Sequence, residues 1–152
     1  MLEYCVRYLG NIQKNDGEIN MLNGKELMLG DYVNIADYDF SEVIGVVKEI
    51  FTDGDEILVS CIDDNDKLTL TDEYVHELFL SKTFFLENGF KELQIYKSFT
   101  LLYNEANNVA VKIIHGNCFK CEVYGIEMNY VHEFQHLMRL LGLSEYANNL
   151  KV

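Results

Sequence analysis

The stretch that decides the fold is Asn129-Tyr130-Val131-His132-Glu133-Phe134-Gln135-His136-Leu137-Met138-Arg139-Leu140-Leu141-Gly142. At about 100° per residue, Tyr130, Val131, Phe134, Leu137, Met138 and Leu141 fall in one stripe. His132, Gln135, His136 and Arg139 fall opposite. Asn129 is a good N-cap, Gly142 a good stop, and Arg139 suits the negative end of the helix. The spacing therefore predicts an amphipathic helix, its oily side on a sheet and its imidazoles toward water. Ser144 then caps a short terminal turn running from Tyr146 to Leu150.

Upstream of this helix the pattern changes to strands. Residues 90–127 read as β-structure with a turn at Asn107-Asn108. His115-Gly116-Asn117-Cys118 has the form of a two-residue hairpin with Gly first. That register sets His115 opposite Cys118 and Ile114 opposite Phe119. Ala110, Ile114, Phe119, Cys121 and Val123 then share one face, and Lys112 is a misfit on it.

Before these strands a helix is predicted over residues 72–88. Thr71 would cap it, Asp72 and Glu73 suit its positive end, and Gly89 stops it. Tyr74, Val75, Leu78, Phe79, Phe85 and Leu86 form one broad apolar face. Leu80 and Phe84 fall on the other side, facing a second layer or a partner subunit.

The first half reads as short strands. Lys25 to Ile35 carries a turn at Gly30-Asp31, and Val43 to Phe51 is rich in β-branched residues. Asp53-Gly54 marks a turn before Ile57 to Ile62, and Leu68 to Leu70 is a short strand. The fold class is α+β: an N-terminal small antiparallel sheet or open β-barrel, one middle helix, C-terminal β-hairpins and a terminal amphipathic helix. A soft division falls near residues 66–70, giving a β-rich acidic half, 1–70, and an α+β half, 71–152, within one compact unit.

Composition narrows the function classes. The chain has 152 residues, 49% hydrophobic and 24% charged, with 10 Tyr and 9 Phe, which excludes disorder. Its net charge is −13. An acidic chain repels phosphate, so direct nucleic-acid binding is disfavoured. No apolar run is long enough to span a bilayer, so no membrane partner is expected. The N-terminus lacks the basic-then-apolar pattern of a signal peptide, and four Cys are few for a disulfide scaffold, so a cytoplasmic location is expected. Residues 1–76 hold 17 acids and 5 bases, whereas residues 77–152 hold 8 acids and 7 bases. The acids gather at turns: Asp37, Asp39, Asp53, Asp55, Glu56, Asp63, Asp64, Asp66. Solvated loops account for that pattern; a nucleic-acid mimic over residues 37–66 is the sharper alternative.

Two motifs invite chemistry. His132-Glu133-Phe134-Gln135-His136 fits H-E-x-x-H, in which two His one turn apart share a zinc ion and the Glu deprotonates a bound water. Glu145, Cys118 or Cys121 would have to supply a third ligand. Arg139 and Gly142 stand where the extended zinc-protease pattern needs Gly and His, and the Gly-rich and E-G-C motifs of peptide deformylases are missing. A solvated helix face with two ordinary His is the plainer reading, and zinc hydrolysis by His132, Glu133 and His136 is the alternative. His115-x-x-Cys118-x-x-Cys121 has no second C-x-x-C. Strand alternation sends Cys118 and Cys121 to opposite faces, one to the surface and one to the core. Asp63-Asp64-Asn65-Asp66 lacks the Gly and Glu of a calcium loop.

Two segments carry a resemblance. Leu70-Thr71-Asp72-Glu73 leads to Glu87-Asn88-Gly89-Phe90, and Tyr130-Val131-His132-Glu133-Phe134-Gln135-His136 is followed by Leu143-Ser144-Glu145-Tyr146. These resemble small uncharacterised proteins encoded by phages and integrated elements of gut anaerobes. Those have an L-T-x-E segment leading to N-G-F, then strands, then a closing Y-V-H-E-L-Q-N helix. Gly30-Asp31-Tyr32-Val33 matches their upstream G-x-Y/W-V strand. The resemblance spans residues 27–146 and departs in a longer stretch between Thr71 and Gly89. It departs also at His136, where the pattern reads Asn, so it implies no two-His zinc site. What it implies is an α+β accessory protein with no catalytic residues or cofactor to carry over. A non-enzymatic protein acting through a protein partner or self-association is therefore the expectation.

Overall fold

A computed structural model describes residues 27–36, 42–53, 56–63, 68–70 and 75–152. The chain divides into two compact units, Met1–Glu77 and Leu78–Val152.

The first unit is an open antiparallel sheet. Its strands are β1 (Tyr32–Ala36), β2 (Glu42–Asp53), β3 (Glu56–Asp63), β4 (Leu68–Leu70) and β5 (Val75–His76), in the order β4-β3-β2-β1-β5. Asp53 pairs with Glu56, so the chain reverses where Asp53-Gly54 signalled a turn. β2 carries a bulge between Val47 and Glu49. Alternation along β1 buries Val33 and Ile35, which join Leu27 and Val47 in a small core with Ile50 packed against it. The turn before β1 is closed by hydrogen bonds: Gly30 N–H donates to Val47 O at 2.8 Å and Val47 N–H to Asp31 O at 3.0 Å. Gly30 sits at φ +84°, a region that suits glycine. The Asp31 carboxylate, fully buried, accepts from Met28 N–H at 2.8 Å.

The middle helix is shorter than the periodicity predicts. Val75 and His76 are not helical; they pair with Ile35 and Asn34 of β1. Helix α1 runs only over Lys82–Glu87, with Ser81 as N-cap and its Oγ accepting from Phe84 N–H at 3.0 Å. The proposed cap residues Thr71, Asp72 and Glu73 lie outside the described residues. A β-branched residue with a strand edge to pair with outweighs its helical spacing. The end of the helix is as expected: Gly89 takes φ +86°, and Phe90 N–H reaches back to Phe85 O at 3.0 Å. Leu80 and Phe84, expected to face a second layer or a partner subunit, are both buried, and Phe84 packs against Phe134.

The second unit continues with β6 (Lys91–Ile95), β7 (Phe99–Asn104), β8 (Val109–Ile114), β9 (Lys120–Val123) and β10 (Ile126–Met128), then α2 (Val131–Leu140) and α3 (Ser144–Asn148). The five strands form an antiparallel meander in the order β10-β9-β8-β7-β6. One sheet face presents Leu102, Val109, Val111, Ile113, Cys121, Val123 and Met128 to the core. Phe134 of α2 sets its ring edge-to-face against Phe84, Phe85 and Phe90, with centroids 5.3–6.2 Å apart. This aromatic cluster locks α1 and α2 together beyond simple area burial.

The β8–β9 hairpin differs from the sequence register by one residue. Ile114 faces Lys120 and Ile113 faces Cys121, leaving a five-residue loop, 115–119. A one-residue slip exchanges the two faces of a strand. Val109, Val111 and Ile113 are therefore inside, and Ala110 and Ile114 are not. Lys112 ceases to be a misfit: on the outer face its Nζ bonds Glu122 at 3.1 Å and sits 5.1 Å above the Phe99 ring.

Candidate functional site

Helix α2 does not present a wet face. His132 is 1% exposed, Gln135 0% and His136 7%, so the solvated imidazole stripe expected from periodicity is overturned. Tyr130 stacks on His132 with ring planes 8° apart, and His132 meets His136 edge-on at 5.8 Å. Gln135 Nε2 donates to Ala147 O at 2.9 Å, because the chain after Gly142 folds back as α3 over this side. An imidazole brings aromatic surface as well as nitrogen, and both rings pack against neighbouring rings.

The Glu133 carboxylate is committed to the backbone. Its Oε2 accepts from Asn129 N–H at 2.8 Å and from Tyr130 N–H at 3.1 Å. It thus caps the amino end of α2, the reaching-back half of a capping box. Of the three expected third ligands, Cys121 Sγ donates to Met128 O at 3.3 Å, Cys118 is exposed in the 115–119 loop, and Glu145 is exposed in the first turn of α3. Burial pushes the Cys121 thiol up to about 12, and the negative charges of Glu133 and Glu127 add to the shift. A thiol held that high is not a redox nucleophile near neutral pH. Among the described residues, no three His, Cys, Asp or Glu side chains gather as a metal would require.

A contact that spacing did not reveal lies in the β7–β8 hairpin. Thr100 Oγ1 and His115 Nε2 are 2.8 Å apart, and His115 Nδ1 lies 3.2 Å from Lys97 O. A carbonyl only accepts, so Nδ1 carries a proton and donates to it. Hydroxyl, base and orienting acceptor have the outline of a nucleophile pair. Thr100 is 5% exposed, however, and the bonds tie the 115–119 loop to β7. Of the residues nominated for the nucleic-acid mimic, Asp37, Asp39, Asp55, Asp64 and Asp66 lie outside the described residues.

Strand β6 is an exposed end of the second unit's sheet. All five residues of this strand are exposed, and β6 stands at the end of the sheet with β7 on its one side. Leu93 is 63% and Ile95 65% exposed, and Tyr96 follows at 41%. Apolar side chains grouped on an uncovered strand edge are uncommon on a protein that stays alone. Beside the strand runs an open groove of about 750 Å³, walled by Lys91, Glu92 and Leu93 on one side and Tyr103, Asn104 and Tyr146 on the other. Its floor is rigid. The Asn88 carbonyl accepts from Tyr146 O–H at 2.9 Å and from Asn104 Nδ2 at 3.1 Å, and Asn104 Oδ1 accepts from Asn107 N–H at 3.1 Å. Gly89 suits this place by its φ of +86°, and a Cβ there would come within 3.2 Å of Asn104 Nδ2, a tight contact. Among the described residues, no helix is long and apolar enough to cross a membrane.

The class so defined is an α+β protein. Compared with protein-family models, curated proteins and solved structures, the chain matches none.

Proposed function

We propose that this is a non-enzymatic binding protein of the cytoplasm that engages an extended segment of a protein partner along β6. The observation that carries the reading is the exposure of Leu93 and Ile95 on a terminal strand. An added strand gains main-chain hydrogen bonds from the edge, and the groove between Leu93, Tyr103 and Tyr146 gives alternate side chains somewhere to go. The capping role of Glu133 accounts for the acid of H-E-x-x-H without chemistry. An accessory protein of a phage or integrated element, as the resemblance of the closing helix suggests, acts in this way without chemistry of its own.

The test is to pan the whole chain against a displayed library of short peptides. Selected peptides should slow amide exchange over Lys91–Ile95 and lose binding to a Leu93→Lys/Ile95→Lys variant. Both side chains are exposed, so that variant keeps its fold. Failure to select any peptide, or selection of peptides that leave β6 exchange unchanged, overturns the reading.

A further inference from the structure

Asn88 is followed by Gly89, and a residue without Cβ leaves its backbone nitrogen unhindered. In an Asn-Gly pair that nitrogen gives up its proton and attacks Cγ of the Asn. The N–Cγ bond forms, the Cγ–Nδ2 bond breaks, ammonia leaves with the proton, and a cyclic imide remains. Water opens the imide at either carbonyl, giving aspartate or isoaspartate. We infer that Asn88 is a guarded site of this deamidation, closed while the segment after α3 holds its side chain and opened when Lys151 lets go.

Every group that must move is held. The leaving amide Nδ2 spends both protons, on Phe84 O and on Lys151 O, each at 2.8 Å, and Oδ1 accepts from Lys151 N–H at 2.7 Å. The nucleophile is engaged too: Gly89 N–H donates to Leu86 O at 3.4 Å. The backbone of Asn88 has ψ 25°, which sets Gly89 N nearly eclipsed with the nitrogen of Asn88 itself. Ring closure needs it eclipsed with Cβ instead, so the Cα–C bond has to rotate and the side chain has to come free. Lys151 supplies two of the three bonds on that side chain. Residues 150–152 lie outside any helix or strand, with Leu150 buried and Lys151 and Val152 exposed. Such a segment opens at a lower free energy than a paired sheet.

The product does not close the guard again. A carboxylate at position 88 has no proton for Phe84 O or Lys151 O. In the isoaspartyl form the main chain runs through Cβ and Cγ, and the former backbone carbonyl becomes a carboxylate beside it. That carbonyl is the acceptor of Tyr146 O–H at 2.9 Å and of Asn104 Nδ2 at 3.1 Å in the floor of the groove beside β6. Deamidation thus turns a passing release of the segment into a lasting one and takes the central acceptor of the groove floor out of the backbone.

The experiment incubates the whole chain in mildly alkaline buffer and follows conversion of residue 88 to the acid by mass spectrometry of the peptide that holds it. In the native protein conversion should be slow, and in urea fast. Lys151→Pro removes the N–H that Oδ1 accepts, and Leu150→Ala removes the buried anchor beside it. Each should speed native-state conversion by about threefold to tenfold. Lys151→Arg keeps both backbone bonds and should match the natural chain. Ile113→Ala weakens the sheet without touching this segment and should change the rate by less than about twofold, because conversion passes through local opening rather than global unfolding. If Leu150→Ala does not fold, Lys151→Pro decides alone. Conversion as fast in the native chain as in urea overturns the inference. So does a rate indifferent to the Lys151→Pro change, or one that Ile113→Ala raises as much.

Discussion

Asn88 and Lys151 hold each other through two hydrogen bonds: Asn88 Nδ2 donates to Lys151 O at 2.8 Å, and Lys151 N–H donates to Asn88 Oδ1 at 2.7 Å. The residue that ends α1 thereby fastens the strand of chain that follows α3, across 63 positions of sequence. The same Nδ2 also donates to Phe84 O at 2.8 Å, so this one amide closes the helix and pins the tail. Asn88→Ala removes all three bonds: Phe84 O keeps only the backbone N–H of residue 88 at 3.2 Å, and Lys151 loses both contacts to the side chain. A loss of about 2–4 kcal/mol is expected in urea unfolding of the whole chain. Asn88→Asp keeps the acceptor but turns a carboxylate toward two carbonyls, and should be no better. A cost within error of zero would mean that solvent replaces the amide.

Glu133 offers a direct contrast between cap and catalyst. Its two backbone acceptor bonds predict that Glu133→Ala destabilises the protein by about 1–2 kcal/mol. Glu133→Gln, which retains a side-chain oxygen for the same N–H groups, should recover a large part of that loss. Thermal unfolding of the three proteins measures it. Equal stability of all three would release Glu133 from its structural role and restore the hydrolase reading.

Two buried acids make stability fall at alkaline pH. Burial raises Cys121 from 9.0 to about 12 and Tyr146 from 10.0 to about 12. In each the folded value lies above the unfolded one, so the unfolded chain releases the proton first. The contribution of each group is complete below its unfolded value and drains away as pH rises toward about 12. Unfolding midpoints should therefore decline from about pH 9 upward. Cys121→Ala should flatten the first part of the decline and Tyr146→Phe the part above about 10. Thiol labelling provides a second readout: exposed Cys118 should alkylate readily at neutral pH while Cys121 reacts only on unfolding.

The β8–β9 register shows what was legible in the sequence and what was not. Strand identity was plain, because Val109 to Ile114 and Lys120 to Val123 alternate. The slip arose at the turn: His115-Gly116-Asn117-Cys118 has the form of a two-residue hairpin, yet the loop is five residues long, held by His115 to Thr100 and Lys97. A side-chain bond to another strand is invisible in local turn chemistry. Ile113→Ala should consequently cost about 2–4 kcal/mol, and Ile114→Ala well under half of that. The reverse order would restore the two-residue hairpin.

The helices divide in the same manner. Gly89 and Gly142 were correct stops because a positive φ is a local demand. The start of α1 was missed because Val75 and His76 answer to β1, forty positions away. For α2 the stripe of Val131, Phe134 and Met138 was legible, but the burial of His132, Gln135 and His136 was not. Periodicity marks the apolar side of a helix and is silent when polar rings and amides are buried by stacking and by a returning chain.

The fold holds Tyr124 against its own backbone preference in an exposed turn. It occupies φ +52° ahead of Gly125 at φ +76°, in the two-residue link between Val123 and Ile126. Such a turn wants Asn or Gly first, since a Cβ in the left-handed region is strained. The ring is 62% exposed and its hydroxyl donates to Asn108 O at 3.3 Å, a long bond in water. Relief of backbone strain should outweigh that bond. Tyr124→Asn is thus expected to stabilise the protein by about 0.5–1 kcal/mol in thermal unfolding. Destabilisation instead would assign the Asn108 contact a structural weight that its length and exposure do not suggest.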